Sequence, residues 1–213
     1  MSARLTAVNV VHEVIRGPSR WTAIDKRPVP GPVQVGKGGL AGDTQCDTRH
    51  HGGPDKAVYA YAAEDIEWWA TALDREILPG LFGENLTTIG LDITGAVIGE
   101  RWRIGTGRAE CLVEVTMPRT PCANLSYRMG IRGFHRRFAA AGRTGAYLRV
   151  LRAGRVRTGS RIVVEHRPDH AVTIGAVAVG ASPEQLRRLL GSGVDLADPI
   201  RRTAERSIAG QSS

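Results

Sequence analysis

Cysteine is scarce in this chain: 213 residues carry only Cys46, Cys111 and Cys122, an odd count with no Cys-x-x-Cys spacing. That argues against a disulfide framework and for a reducing compartment, and it leaves no cysteine-rich segment for an iron–sulfur cluster. The cytoplasm is the expected location. Lysine is scarce too. Only Lys26, Lys37 and Lys56 occur, so the net charge of +8 is almost all arginine. Arginine suits bidentate recognition of phosphate and carboxylate, although a genome biased towards arginine codons gives the same composition with no function attached. The positive field favours an anionic ligand or an acidic partner protein. No apolar run approaches the roughly 18 residues needed to span a bilayer. The start lacks an apolar leader with a small-residue cleavage site, and no dinucleotide-binding glycine fingerprint is present. Membrane insertion, a signal peptide and an internal nicotinamide site are therefore not expected.

What is present fits a globular chain. The apolar fraction is 42% and the charged fraction 23%, ordinary for a soluble protein. The length suits one domain with an appendage. Apolar alternation dominates. Strands are expected at 5–11, 57–61, 101–104, 111–115, 147–151 and 161–165. The pair 101–104 and 111–115 is expected to be neighbours, as is the pair 147–151 and 161–165. A helix is expected over 64–73, with Trp68, Trp69 and Leu73 on one apolar flank. Short strands and 26 glycines point to a barrel or sandwich rather than alternating β-α units. After Arg167-Pro168 the composition changes. Ser182-Pro183-Glu184 is a helix start with a serine cap, and a second short helix is expected over 197–208. The tail from about 170 onward thus looks like a small helical appendage.

Pro121-Cys122 ends the run that begins at Cys111. Proline removes a ladder donor and fixes φ, so pairing stops there and the thiol is presented from a rigid turn close to Arg119. A nearby cation favours the thiolate, which is both the nucleophile and the metal ligand. The plainer reading is a small residue buried at a strand end. Three further segments stand out: 42–56, rich in Asp, His and Gly; Phe82-Gly83-Glu84-Asn85-Leu86-Thr87-Thr88, a polar turn; and Gly142-Arg143-Thr144-Gly145 before the strand at 147. Singly, each reads as a turn or a solvated charge.

Together, in this order, they resemble the MOSC domain, named for the C-terminal domain of molybdenum cofactor sulfurase. The residues that carry the resemblance are Gly42-Asp43, His51-Gly52-Gly53, Phe82-Gly83-Glu84-Asn85-Leu86, Ile98-Gly99 with Arg103-Ile104-Gly105, Arg119-x-Pro-Cys122, and Gly145 with Tyr147-Leu148-Arg149-Val150. It covers about 30–165. It implies a mainly β fold, a closed barrel with a few peripheral helices over 1–168. The short helical C-terminal extension over 169–213 is similar to that of the stand-alone bacterial branch.

The resemblance also implies a molybdenum cofactor, with Cys122 as the metal ligand. It implies that Asn85 and Arg119 reach oxo groups, the pterin or its phosphate, and that His51, Gly52 and Gly53 form part of the pocket wall. Lys56, Arg143 and Thr144 are phosphate candidates by residue type alone. Glu84 is either a proton relay or structural. The activity implied is reduction of N-hydroxylated compounds, such as hydroxylaminopurines and hydroxylamines, to amines. Electrons then come from a separate reductase protein. The alternative is a carrier of cofactor or sulfur that catalyses nothing alone. Nucleic acid and membranes are not expected partners, and oligomeric state is open.

Other uses of these residues have less to recommend them. Cys46-x-x-x-His50 has the spacing of half a zinc site, with Cys111 or Cys122 to complete it, but no second ligand pair follows. Cys111 alternates with Val113 and Val115 and is a core residue first. A Cys122–His51–Asp triad lacks a recognisable oxyanion hole. The basic stretch Arg132, His135, Arg136, Arg137 beside Phe134 and Phe138 reads as an amphipathic helix with solvated charges.

Overall fold

The computed structural model describes residues 2–18, 20–46 and 52–210. β1 (Arg4–Arg16) is thirteen residues long, buried mainly over its first half, and turns back through β2 (Trp21–Pro28) as a long antiparallel hairpin. β3 (Val33–Gly36) and β4 (Gly39–Leu40) follow. β5 (Val58–Ala62) is buried along its whole length and leads directly into α1 (Ala63–Leu73). α1 is the crossover that lets β6 (Leu86–Ile89) pair with β5 in parallel, a pairing a tight turn cannot make. β7 (Arg101–Ile104) and β8 (Cys111–Pro118) form the next hairpin. Two short helices follow, α2 (Ala123–Met129) and α3 (Phe134–Ala140). Then come β9 (Ala146–Arg152), β10 (Gly154–Val156) and β11 (Ile162–His166).

The strands make an eight-stranded mixed sheet in the order β11-β7-β8-β9-β5-β6-β1-β2, and a small sheet β10-β3-β4. This corrects the expected closed barrel. The fold is mainly β with helices, but β11 and β2 remain the two edges of the large sheet. The start of β1 does approach the turn before β11, through one isolated bridge, Arg4 with Arg161, and a bond from Leu5 N–H to Ser160 O of 2.9 Å. It forms no ladder there. The register of β1 shifts at Leu5/Ala7 and again beyond Val11, and its outer half pairs with β2 instead. Closure depends on strand number, tilt and shear together, and glycine-rich turns report none of them.

Two local expectations also change. The segment 161–165 pairs with β7, not with β9, which lies between β8 and β5. The glycine region between them is a strand in its own right, β10, paired with β3. On α1, Trp69 is fully buried but Trp68 is 42% exposed. Adjacent helical residues differ by about 100°, so they cannot share a flank.

An aromatic layer covers one side of β5. Tyr61 contacts Phe82 at 4.9 Å and Phe138 at 5.8 Å between ring centroids, and Trp69 contacts Phe134 at 4.9 Å. This explains why β5 reads as an unbroken buried run rather than an alternating one. The tail holds α4 (Ile174–Val179), α5 (Pro183–Leu190) and α6 (Asp198–Ala209). Ser182 Oγ accepts from Gln185 N–H at 3.2 Å while Gln185 Oε1 accepts from Ser182 N–H at 2.8 Å, a reciprocal cap. Leu189, Leu196, Ala197 and Ile200 join the same continuous apolar core as the sheet. Among the described residues, no helix is long and apolar enough to cross a membrane.

Candidate functional site

The end of β8 aims two residues into one cleft. Pairing stops at Pro118, and 119–122 turn outward before α2 begins. Arg119 stays buried, 6% exposed, held through its backbone N–H to Gly145 O at 3.4 Å. Gly145 has φ +70°, and a Cβ there would lie 2.5 Å from Ala60 O, so only glycine lets these strands approach. The guanidinium lies over Tyr59 at 5.5 Å and Phe138 at 5.9 Å. Its Nη1 has no hydrogen-bond partner. A buried guanidinium nitrogen without a partner is costly. Cys122 caps α2 with an extended backbone (φ −131°, ψ 176°), and its free thiol is partly exposed. Both line an open cleft, as do Asn85, Lys56 and Tyr59.

The opposite wall carries a charged pair. Lys26 Nζ, on β2, contacts Asp43 Oδ2, and both side chains are below 10% exposed. Asp43 is fixed further by Val11 N–H at 2.9 Å and Asn85 Nδ2 at 2.8 Å. Burial lowers the Lys26 ammonium's pKa, and Asp43 opposes that shift. Asn85 spends its amide on the fold: Oδ1 accepts from Tyr59 N–H at 3.0 Å, and Nδ2 donates to Asp43 and to Asn9 O at 3.3 Å. Asn85 therefore positions Asp43, and both of its N–H donors are already in use.

Glu84 lies behind Asn85, fully buried and away from the cleft lining. Its Oε1 accepts from Gly80 N–H and from Thr87 Oγ1–H at 3.1 Å, while Oε2 has no partner. Burial pushes the carboxyl up to about 7 against those bonds.

The other candidates divide. Lys56 lines the cleft. Gly53 stands behind it, its N–H donating to Gln45 Oε1 at 3.3 Å, and Gln45 is a lining residue. Gly52 precedes it in the same loop, outside the lining; His51 lies outside the described residues. Arg143 and Thr144 do not line the cleft. Arg143 pairs with Asp65 of α1 at 2.5 Å and lies over Trp68 at 5.2 Å, because the buried Asp65 carboxylate attracts it there. Thr144 is buried, and its carbonyl accepts from Tyr59 OH at 2.8 Å. Cys111 is a core residue as expected, its thiol pushed up to about 11 by burial. The zinc half-site falls partly on His50, also outside the described residues. Among the described residues no cluster of three His, Cys, Asp or Glu side chains is arranged to hold a metal ion.

The MOSC domain pattern matches residues 47–163. The chain belongs to the MOSC domain family. It is 37% identical over 153 residues to uncharacterized protein YflK of Bacillus subtilis, spanning 72% of this chain and 67% of YflK. It is 30% identical over 192 residues to protein YiiM of Escherichia coli, spanning 87% and 84%. The crystal structure of YiiM from Geobacillus stearothermophilus superposes with a TM-score of 0.79 at 27% identity, over 97% of this chain and 99% of that one. A protein named Reductase from Gibberella moniliformis is 31% identical over 150 residues, which is 69% of this chain but only 26% of that protein.

The MOSC family is associated with the molybdenum cofactor, and the residues of the cleft fit such a group. Cys122 offers one soft sulfur donor, suited to a thiophilic metal. The unpartnered Nη1 of Arg119 and the cation of Lys56 beside the cleft suit an anionic pterin phosphate. In this MOSC protein several lining residues lie outside the sequence-based set of candidates, among them Lys26 and Trp21, on a strand that sequence alternation does not reveal, and Cys46, which the sequence offered only as half a zinc site. The signal available for Lys26 was its rarity, one of three lysines.

Proposed function

We propose that this MOSC protein binds the molybdenum cofactor in the cleft of Cys122 and Arg119, and that the loaded protein reduces N-hydroxylated compounds to amines. One observation supports this most: a free thiol and a buried guanidinium with an unpartnered nitrogen share one open cleft. When bound, the cofactor supplies a two-electron molybdenum centre. Cys122 sulfur would hold the metal, and Arg119, itself buried, would neutralise the cofactor's negative charge. The Asn85–Asp43–Lys26 network is a fixed polar wall, since Asp43 is held from three sides. A reductase-named relative is consistent with this reaction class. The balance is R–NHOH plus two electrons and two protons, giving R–NH2 and water.

The electrons come from a separate protein. The test is turnover of the purified, cofactor-loaded chain with a hydroxylamine. Reduction with a chemical reductant and none with NADH alone is expected. Turnover with NADH and no added partner overturns the external-donor part; no turnover with any reductant leaves cofactor carriage as the function.

A further inference from the structure

The end of the β1–β2 hairpin places a large aromatic on the rim of the cleft. Trp21 lines the cleft and yet is 59% exposed. A tryptophan left in water forgoes its hydrophobic gain; Trp69 and Trp102 are fully buried, and Trp68, the other exposed one, is covered by the Arg143 guanidinium. The hairpin is not loose at this point. A Cβ on Gly17 would fall 2.3 Å from Asn124 Oδ1, so the hairpin tip rests against the first turn of α2, two residues beyond Cys122. Asp25 of the same strand pairs with Arg128 of α2 at 2.5 Å. Trp21 is paired in register with Arg16 across the hairpin. An exposed tryptophan thus sits on a strand braced against α2, in the lining of the cleft that Cys122, Ala23 and Ile24 also line.

We infer that Trp21 is a specificity-determining residue: its indole is the stacking surface for the planar aromatic part of an N-hydroxylated substrate, so the cleft prefers aromatic and heteroaromatic hydroxylamines to small aliphatic ones. This rests on the proposed reductase reading. Stacking is sequence-tolerant and needs only a π-face, and loss of one such platform weakens binding by roughly five- to 150-fold. The N–OH group then reaches inward towards Cys122 while the ring stays at the rim.

The experiment compares wild type, Trp21→Ala and Trp21→Phe, each with its cofactor content measured. The substrates are phenylhydroxylamine and N-methylhydroxylamine under a chemical reductant, and adenine serves as a non-reducible planar ligand read by tryptophan fluorescence. In Trp21→Ala, KM for the aromatic substrate is expected to rise about tenfold or more with kcat little changed. N-methylhydroxylamine kinetics stay within about twofold, the adenine-induced quench is lost, and Trp21→Phe recovers most of the aromatic KM. Equal effects on both substrates, or an unchanged aromatic KM, overturn the assignment while the reductase reading stands. A loaded wild type that reduces neither substrate overturns the reductase reading, and this assignment with it.

Discussion

Arg119 and Glu84 are both buried polar groups with an unsatisfied atom, and they differ in what that implies. Arg119 lines a cleft that a ligand can fill, so the empty fold carries its cost and binding can offset it. The cofactor-free Arg119→Met protein is therefore expected to be within about 1 kcal/mol of wild type in chemical denaturation, or more stable, since a buried charge lacking a good partner gains little from the fold. A loss of about 3 kcal/mol or more would mean that the guanidinium holds the structure together. Glu84 has no cleft to face. Its carboxyl sits near 7 in the fold and near 4.5 when unfolded. Below the lower value both states hold the proton and its stabilising contribution is complete. As pH rises the unfolded chain loses the proton first, so that contribution falls, by about 3 kcal/mol once pH passes 7. Replacing Glu84 with Gln removes the titration. The stability of Glu84→Gln relative to wild type should climb between about pH 4.5 and 7 in urea melts; a flat difference would show that the carboxyl titrates normally.

At the scale of elements, β8, α2 and the β1–β2 hairpin build the cleft. Ser182 tests the tail in isolation, because its cap is complete within α5. Ser182→Ala should cost about 1 kcal/mol in thermal or chemical unfolding and leave cofactor content unchanged. A fall in cofactor content would show that the tail props the cleft. The elements also explain what was legible in the sequence. Cys122 and Arg119 could be read because proline announces the end of β8, and Ser182-Pro183 because caps are local. β2 was hidden: Thr22 to Lys26 are all buried despite three polar residues, so no alternation survives. The pairing of β11 with β7 is set by packing across the whole sheet, which no local pattern records. Arg143 was chosen by type and went instead to Asp65, a partner 78 residues away in sequence.

For the whole molecule, one open mixed sheet and its helices build the cleft that holds Cys122, Arg119, Lys56 and the Asn85–Asp43–Lys26 network. The central claim is that this cleft binds molybdenum cofactor through Cys122. Its most direct test is the molybdenum and pterin content of the purified protein beside Cys122→Ala, both expressed in a host that makes the cofactor. The account predicts near-stoichiometric molybdenum and pterin in the wild type and loss of metal in the variant. No molybdenum or pterin in the wild type, or equal amounts in both proteins, would contradict it.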